Sequence, residues 1–181
     1  SLPYLAQRLG AVAGGVWAAR ALRSARSAAE VRRGLQVFGM LAPAICLGLC
    51  ALLPQLSAGR ALLLLSLGGG LSALTVAGVS CAHLDLSPAP SPPHAGKIFA
   101  IGNTAACIGG LLAVPVGGKV FDLTGRWELV FLVYGLHYVV GALVWAALYT
   151  GEALPLKREA AAAASAAAAA AVSMGKKDPL E

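Results

Sequence analysis
Charge is scarce in this chain. Asp, Glu, Lys and Arg make up 12% of its 181 residues, against roughly 25% in an ordinary soluble domain. With 58% hydrophobic residues gathered in long runs, that shortage excludes a soluble globular domain, because the runs lack the period of an amphipathic helix. Acids and histidines are few, at 8 and 3, and no H-E-x-x-H, no G-x-S-x-G and no His/Asp/Glu cluster occurs. Enzyme chemistry therefore has no carrier: no catalytic residue, metal ligand or cofactor site is assigned. Four cysteines, Cys46, Cys50, Cys81 and Cys107, lie in or beside apolar runs. Cys46 and Cys50 share a helix face, but no further Cys or His completes a metal set, so the expectation is free thiols packed as small apolar groups. The sequence shows no initiator Met and no signal peptide, which suggests a fragment or an incomplete gene model. A net charge of +6 does not point to nucleic acid, because the basic residues cluster beside apolar runs as topology signals do.

What is present is apolar length. The expected fold is all-α: a polytopic membrane bundle of about five transmembrane helices over residues 1–156, followed by an Ala-rich, low-complexity cytoplasmic tail over 157–181. The spans fall at about 2–19, 37–53, 61–82, 98–118 and 129–149. In the first, Gly10, Gly14 and Ala18 form an extended G-x-x-x-G pattern that predicts a close helix contact. Arg8 lies about 9 Å into that helix; it either snorkels to the near interface or attracts an anion. Pro43 interrupts the second span and predicts a kink near Gly39. The third begins as a Leu run and turns soft at Gly68, Gly69, Gly70, Ser72, Thr75 and Gly78. Such a stretch permits close packing or local unwinding beside a cavity. In the fifth, His137 lies mid-span and reads as a packing residue or a proton relay, with Trp127 and Tyr149 as interfacial aromatics.

The chain is organised around His83 to Gly118. H-L-D-L-S-P, a Pro-rich insert and H-A-G-K form an irregular loop over 83–97. The apolar run that follows holds Asn103 and Thr104, with Gly102, Ala106, Gly109, Ala113 and Gly117 on one face. That stripe lets helices approach closely in lipid; Asn103 is either interhelical glue or part of a solute pathway. Arg20, Arg23, Arg26, Arg32, Arg33, Lys97, Lys157, Arg158, Lys176 and Lys177 fall on one side of the membrane. Only Arg60, Lys119 and Arg126 fall on the other. The bias places the Arg20–Arg33 loop and the C-terminus inside.

Several segments together resemble a known family. L-P-Y-L opens the chain, G-G-V-W-A-A precedes V-R-R (Val31, Arg32, Arg33), and H-L-D-L-S-P (His83, Asp85) precedes H-A-G. G-N-T (Gly102 to Thr104), Gly109, Gly110, Pro115 and W-A-A-L-Y-T-G-E follow in order. Over about residues 2–156 the chain resembles the C-terminal part of a major facilitator superfamily transporter of the anion:cation symporter branch. That branch includes sodium/phosphate cotransporter-like proteins, vesicular glutamate transporters and plant plastid phosphate and ascorbate transporters. The resemblance implies helices eight to twelve of that fold, with a midplane site between two rocking halves. It implies transport of inorganic phosphate or a small organic anion, coupled to Na⁺ or H⁺. The implied partners are the small anion, a coupling cation, the lipid bilayer and a missing N-terminal half that holds most anion-binding arginines. The implied membrane is a plastid envelope, a thylakoid or a plasma membrane. Ser72, Thr75, Asn103, Thr104 and Arg8 are the candidate pathway residues, and His83, Asp85, Arg32 and Arg33 form the loop motif. The chain departs from the family pattern at Ala19, where an acid is usual, at Ala82, where Asn is usual, and in its Ala89–Pro93 insert. These departures keep open a second reading, a non-transporting membrane scaffold or degenerate half-transporter.

Overall fold
The computed structural model describes residues 2–24, 26–53, 56–87 and 93–152, together with residues 162, 165, 166 and 168. The remainder of the Ala-rich tail and the Pro88–Pro92 insert lie outside the described residues. Six helices account for nearly all of the rest: α1 (Leu2–Arg23), α2 (Ala28–Leu52), α3 (Ala58–Ser72), α4 (Thr75–Asp85), α5 (Pro93–Thr124) and α6 (Trp127–Leu148). With no water in a bilayer core to satisfy the backbone, apolar runs of this length must bond internally as helices.

Four helical rods are long and apolar enough to cross a membrane: Ala28–Leu52, Ala58–Asp85, Ala95–Thr124 and Trp127–Leu148. The second is α3 and α4 in line. The expected first span is present as the 22-residue α1, but Gln7, Arg8, Arg20 and Arg23 dilute its hydropathy and it is not among the four.

Local chemistry sets the ends. Ser27 and Glu30 form a capping box at α2: the Ser27 hydroxyl accepts from the Glu30 N–H and the Glu30 carboxylate from the Ser27 N–H, both at 3.2 Å. The 83–97 segment is less irregular than its prolines suggest. α4 continues through His83 to Asp85, and α5 starts at Pro93, where a missing N–H costs a helix nothing. The polar segment 119–128 is also mostly helix. α5 runs to Thr124 and is stopped by Gly125 at φ 65°, whose N–H bonds back to the Phe121 carbonyl at 2.7 Å. The turn to α6 is thus two residues long, and Phe121 packs at a tilt against Trp127 across it, ring centres 4.5 Å apart.

α2 is the hub, packing against α1, α3, α4 and α6. Its buried residues Val31, Leu35, Gly39, Pro43, Cys46 and Cys50 recur at helical spacing, and Val31 is 1% exposed. Ala18, Ala21, Val31, Leu35 and Ala77 form the core cluster, with Leu74 against it. Small residues make these crossings close. A Cβ at Gly10 would overlap the Gly70 carbonyl oxygen, and one at Gly14 would come within 3.0 Å of Leu74, so the α1 glycine pattern does the packing expected of it. Across α2, added Cβ atoms at Gly39, Gly68 and Gly78 would meet Thr75, Cys46 and Gln36 at 2.8, 3.1 and 2.8 Å.

The soft stretch packs and also breaks. The Leu74 and Val76 N–H groups bond to the Leu71 and Ala73 carbonyls, three residues back, a tightened turn between α3 and α4. Side-chain hydroxyls take neighbouring carbonyls instead: the Ser72 hydroxyl donates to Gly69 O at 2.8 Å and the Thr75 hydroxyl to Ser72 O at 2.7 Å.

α5 stands apart. Among its described residues only Gly117 is buried. Added Cβ atoms at Gly102, Gly109 and Gly110 would meet nothing within 4 Å, so the small-residue stripe is largely uncovered by this chain. Its anchor is Tyr134 of α6, whose hydroxyl donates to Ala113 O at 2.9 Å in space that a side chain at Gly117 would fill.

Candidate functional site
A cavity of about 500 Å³ opens where α1, α2, α3, α5 and α6 meet. Gly68, Gly69 and Ser72 of α3 line it, the glycines without filling space. Its polar groups are Gln7, Ser72, Tyr134, His137 and Tyr138, and Met40, Pro43, Leu47 and Leu65 form apolar wall. No Lys or Arg is among its lining residues. The hydroxyl protons of Ser72 and Tyr134 are committed to the Gly69 and Ala113 carbonyls, so those two oxygens remain as acceptors. Gln7, His137 and Tyr138 make no side-chain hydrogen bond among the described residues, and so remain available to a ligand as donors.

A second groove, about 290 Å³, lies between α4, α5 and α6 and is lined by Ser80, His83, Phe99, Gly102, Asn103 and Trp145, among others. The Trp145 indole N–H is buried without a partner among the described residues. Asn103 is exposed, and its amide reaches only the Cys107 sulfur at 3.9 Å.

The sequence-derived candidates therefore separate. Ser72 lines the large cavity and Asn103 the second groove. Thr104 is exposed and lines neither, and the Thr75 methyl is spent against Gly39. Arg8 is exposed on α1 beside Gln7, with no ion pair among the described residues. Sequence reasoning missed Gln7, Tyr134 and Tyr138. For the two tyrosines, their spacing of four on α6 with His137 between them was the available signal; Gln7, on α1, gave none. Cys46 and Cys50 are buried as expected, whereas Cys107 is exposed on α5.

The loop motif does come together, except for His83. Arg32, on the first turns of α2, places Nε 3.0 Å from Asp85 Oδ2 at the end of α4. Its Nη1 donates to Ala77 O at 2.8 Å. Arg33 donates to the Tyr149 carbonyl just past α6. One end of the bundle is thereby tied across three helices. His83 instead tilts against Phe99, ring centres 5.0 Å apart. One turn deeper, Gln36, 7% exposed, accepts from the Val79 N–H at 3.1 Å. α2 side chains thus hold both a donor and an acceptor of the α4 backbone.

No protein-family model matches the chain. Curated relatives do. A probable anion transporter of rice chloroplasts (Oryza sativa subsp. japonica) is 32% identical over 154 residues, 84% of this chain and 28% of the relative. The chloroplastic ascorbate transporter of Arabidopsis thaliana is 32% identical over 158 residues, 84% and 27% of the two chains. The chloroplastic sodium-dependent phosphate transport protein 1 of the same plant is 30% identical over 157 residues, 84% and 28%. The chain spans about a quarter of the length of the curated relatives it matches. These relatives are transporters and not enzymes. Agreement of this extent along an all-helical, membrane-crossing bundle makes the chain a homologue of the plant chloroplast anion transporters of the major facilitator type.

Proposed function
We propose that this chain forms part of a larger transporter that moves inorganic phosphate or a small organic anion across a membrane of the plastid, coupled to Na⁺ or H⁺. The observation that carries this reading is the cavity of polar groups within a bundle of apolar helices. Hydroxyl, amide and imidazole groups on membrane-crossing helices are costly against lipid and accumulate along solute paths. The naming of relatives for anions, phosphate and ascorbate supports the ligand class, and chloroplastic relatives support the plastid envelope. Ser72 and, in the second groove, Asn103 are the proposed pathway residues from the sequence. Arg8 is proposed to attract the anion from the membrane edge, and Arg32, Arg33 and Asp85 to hold the cytoplasmic end.

In this reading the remaining helices come from the N-terminal half. Alternating access needs two bundles moving about a shared site, and this chain supplies part of one. The test is uptake into proteoliposomes of labelled phosphate, ascorbate and glutamate under a Na⁺ or H⁺ gradient. The complete transporter that contains this chain is expected to show saturable, gradient-dependent uptake of one of them, and this chain alone none. Absence of uptake by the complete protein would favour the scaffold reading.

A further inference from the structure
The arginines around the α1–α2 connection differ in what already holds them. Arg32 is engaged by Asp85 and the Ala77 carbonyl, and Arg33 by the Tyr149 carbonyl. Arg20 and Arg23, in the last turn of α1, and Arg26, in the turn that follows, are all exposed. None of the three has a side-chain hydrogen bond or ion pair among the described residues. Glu30 is the only acid between Arg20 and Arg33. Its carboxylate already accepts from the Ser27 N–H, and of the three arginines only Arg26 lies close enough to act on it. Three cations against that one acid leave an excess of positive charge fixed at this end of the bundle. At the opposite end Arg126 has its own carboxylate, Glu128, at 3.6 Å.

The helix also grades in polarity toward this end. Val12, Val16, Arg20 and Arg23 follow at spacings of four, four and three, so they lie on one face of α1 with Trp17 beside them. All five are exposed. At 1.5 Å per residue, Trp17 lies about 4.5 Å deeper along the axis than Arg20, and Val16 about 6 Å deeper. Apolar chain, then indole, then guanidinium is the order in which a leaflet presents its acyl chains, its interface and its phosphates.

We propose that this end of α1 binds the headgroup of an anionic phospholipid of the adjoining leaflet, with Arg20, Arg23 and Arg26 around the phosphate and Trp17 at the interface beneath it. The inference stands apart from the transport reading, since it needs only that α1 lies in a membrane. Guanidinium suits phosphate oxygens because it bonds them in pairs with full charge. A headgroup with net negative charge is favoured over a choline headgroup, which brings a cation of its own toward the arginines. A soluble acidic partner would leave Val12, Val16 and Trp17 uncovered, whereas a lipid covers them with the same molecule that meets the charge. The contact also gives α1, too dilute in hydropathy to count among the four membrane-crossing rods, an electrostatic hold on the bilayer.

The test is quenching of Trp17 fluorescence by lipids brominated on their acyl chains, with the full chain in phosphatidylcholine vesicles that contain phosphatidylglycerol. Trp127→Phe and Trp145→Phe leave Trp17 as the sole indole of the three. Brominated phosphatidylglycerol is expected to quench several-fold more per molecule than brominated phosphatidylcholine. Salt should erase the difference, because charges are screened within about 3 Å at 1 M. Arg20→Gln, Arg23→Gln and Arg26→Gln should each lower the preference by up to about fivefold, the attraction of one arginine near an anionic surface, and the triple variant should bring the two lipids close to parity. Gln keeps the helix propensity of Arg, and circular dichroism checks that α1 is retained. Arg60→Gln, at the other end of the bundle, should leave the preference unchanged. Equal quenching by the two lipids in the unmodified patch overturns the proposal. A preference that survives salt or the triple variant overturns the role of the arginines. An equal loss on Arg60→Gln overturns the placement. Abolition of the preference by soluble glycerol 3-phosphate assigns the patch to a free phosphate and overturns the lipid.

Discussion
The Arg32–Asp85 pair can be weighed before it is broken. The two side chains are 12% and 23% exposed and meet at 3.0 Å, so the pair lies between a surface ion pair, worth about 0–1 kcal/mol, and a buried one, whose rupture costs about 3–5 kcal/mol. Arg32 also donates to Ala77 O at 2.8 Å, so Asp85→Asn removes the carboxylate charge and leaves Nε a weaker, neutral acceptor. Arg32→Gln loses both bonds and leaves the α4 carbonyl and the carboxylate unmet. A charge-assisted hydrogen bond contributes about 1.5–3 kcal/mol. We therefore expect Asp85→Asn to destabilise by about 2 kcal/mol and Arg32→Gln by about 3 kcal/mol. The double variant should be only slightly worse than Arg32→Gln, giving a coupling of about 1.5–2 kcal/mol. The assay is reversible unfolding of the chain in bicelles, followed by helical circular dichroism. The buried Cys46 and Cys50 thiols give a second probe through their labelling rate. Strict additivity of the two single changes would refute the contact as an energetic tie between α2 and α4.

Glycines on the same helix should behave oppositely. Gly10→Leu, against the Gly70 backbone, should cost about 1–3 kcal/mol or more by overpacking, while Gly15→Leu, which meets nothing within 4 Å, should be near neutral; equal effects by thermal unfolding would sink the α1–α3 crossing. For orientation, Ser24→Cys should label from the cytoplasmic side and Ser57→Cys from the opposite side, in a cysteine-free background; labelling of Ser57→Cys from the cytoplasmic side alone would reverse the topology. Asn103→Leu in the complete transporter should abolish uptake at near-normal protein level if the amide serves the pathway. As interhelical glue it would instead cost about 0.6–2 kcal/mol of stability, and normal uptake by a stable variant would remove Asn103 from the pathway.

Much of the fold was legible because a bilayer leaves the backbone little choice. Apolar runs of the right length had to be helices, and the order α1 to α6 follows the five expected spans. What the runs could not show is where hydrogen bonding overrides composition. Prolines over 88–93 and polar residues over 119–128 both suggested loops. Pro93 is tolerated at a first helical turn, and α5 continues until Gly125 adopts a left-handed conformation. The break between α3 and α4 was half visible in Gly68–Gly70. Its position coincides with Ser72 and Thr75 hydroxyls taking neighbouring carbonyls, a choice that composition does not rank.

The site was less legible, for a reason that the small residues expose. Gly10 and Gly14 on α1, and Gly102, Ala106 and Gly109 on α5, carry the same pattern. The first pair is packed to contact and the second set is bare. A small side chain permits close approach in lipid, but the partner must bring the attraction. α1 has one in the Gly70 and Leu74 backbone, while α5 meets the bundle elsewhere, at Tyr134, at Trp127 and through Phe99 at His83. The same logic explains why His137 and the two tyrosines escaped notice as a set. A polar residue on an apolar helix signals a polar neighbour without naming it. The neighbours here are Gln7 and Ser72, more than sixty positions away on α1 and α3. Only the α1–α3 glycine crossing brings those two helices together, so the packing pattern that could be read from the sequence is what assembles the cavity that could not.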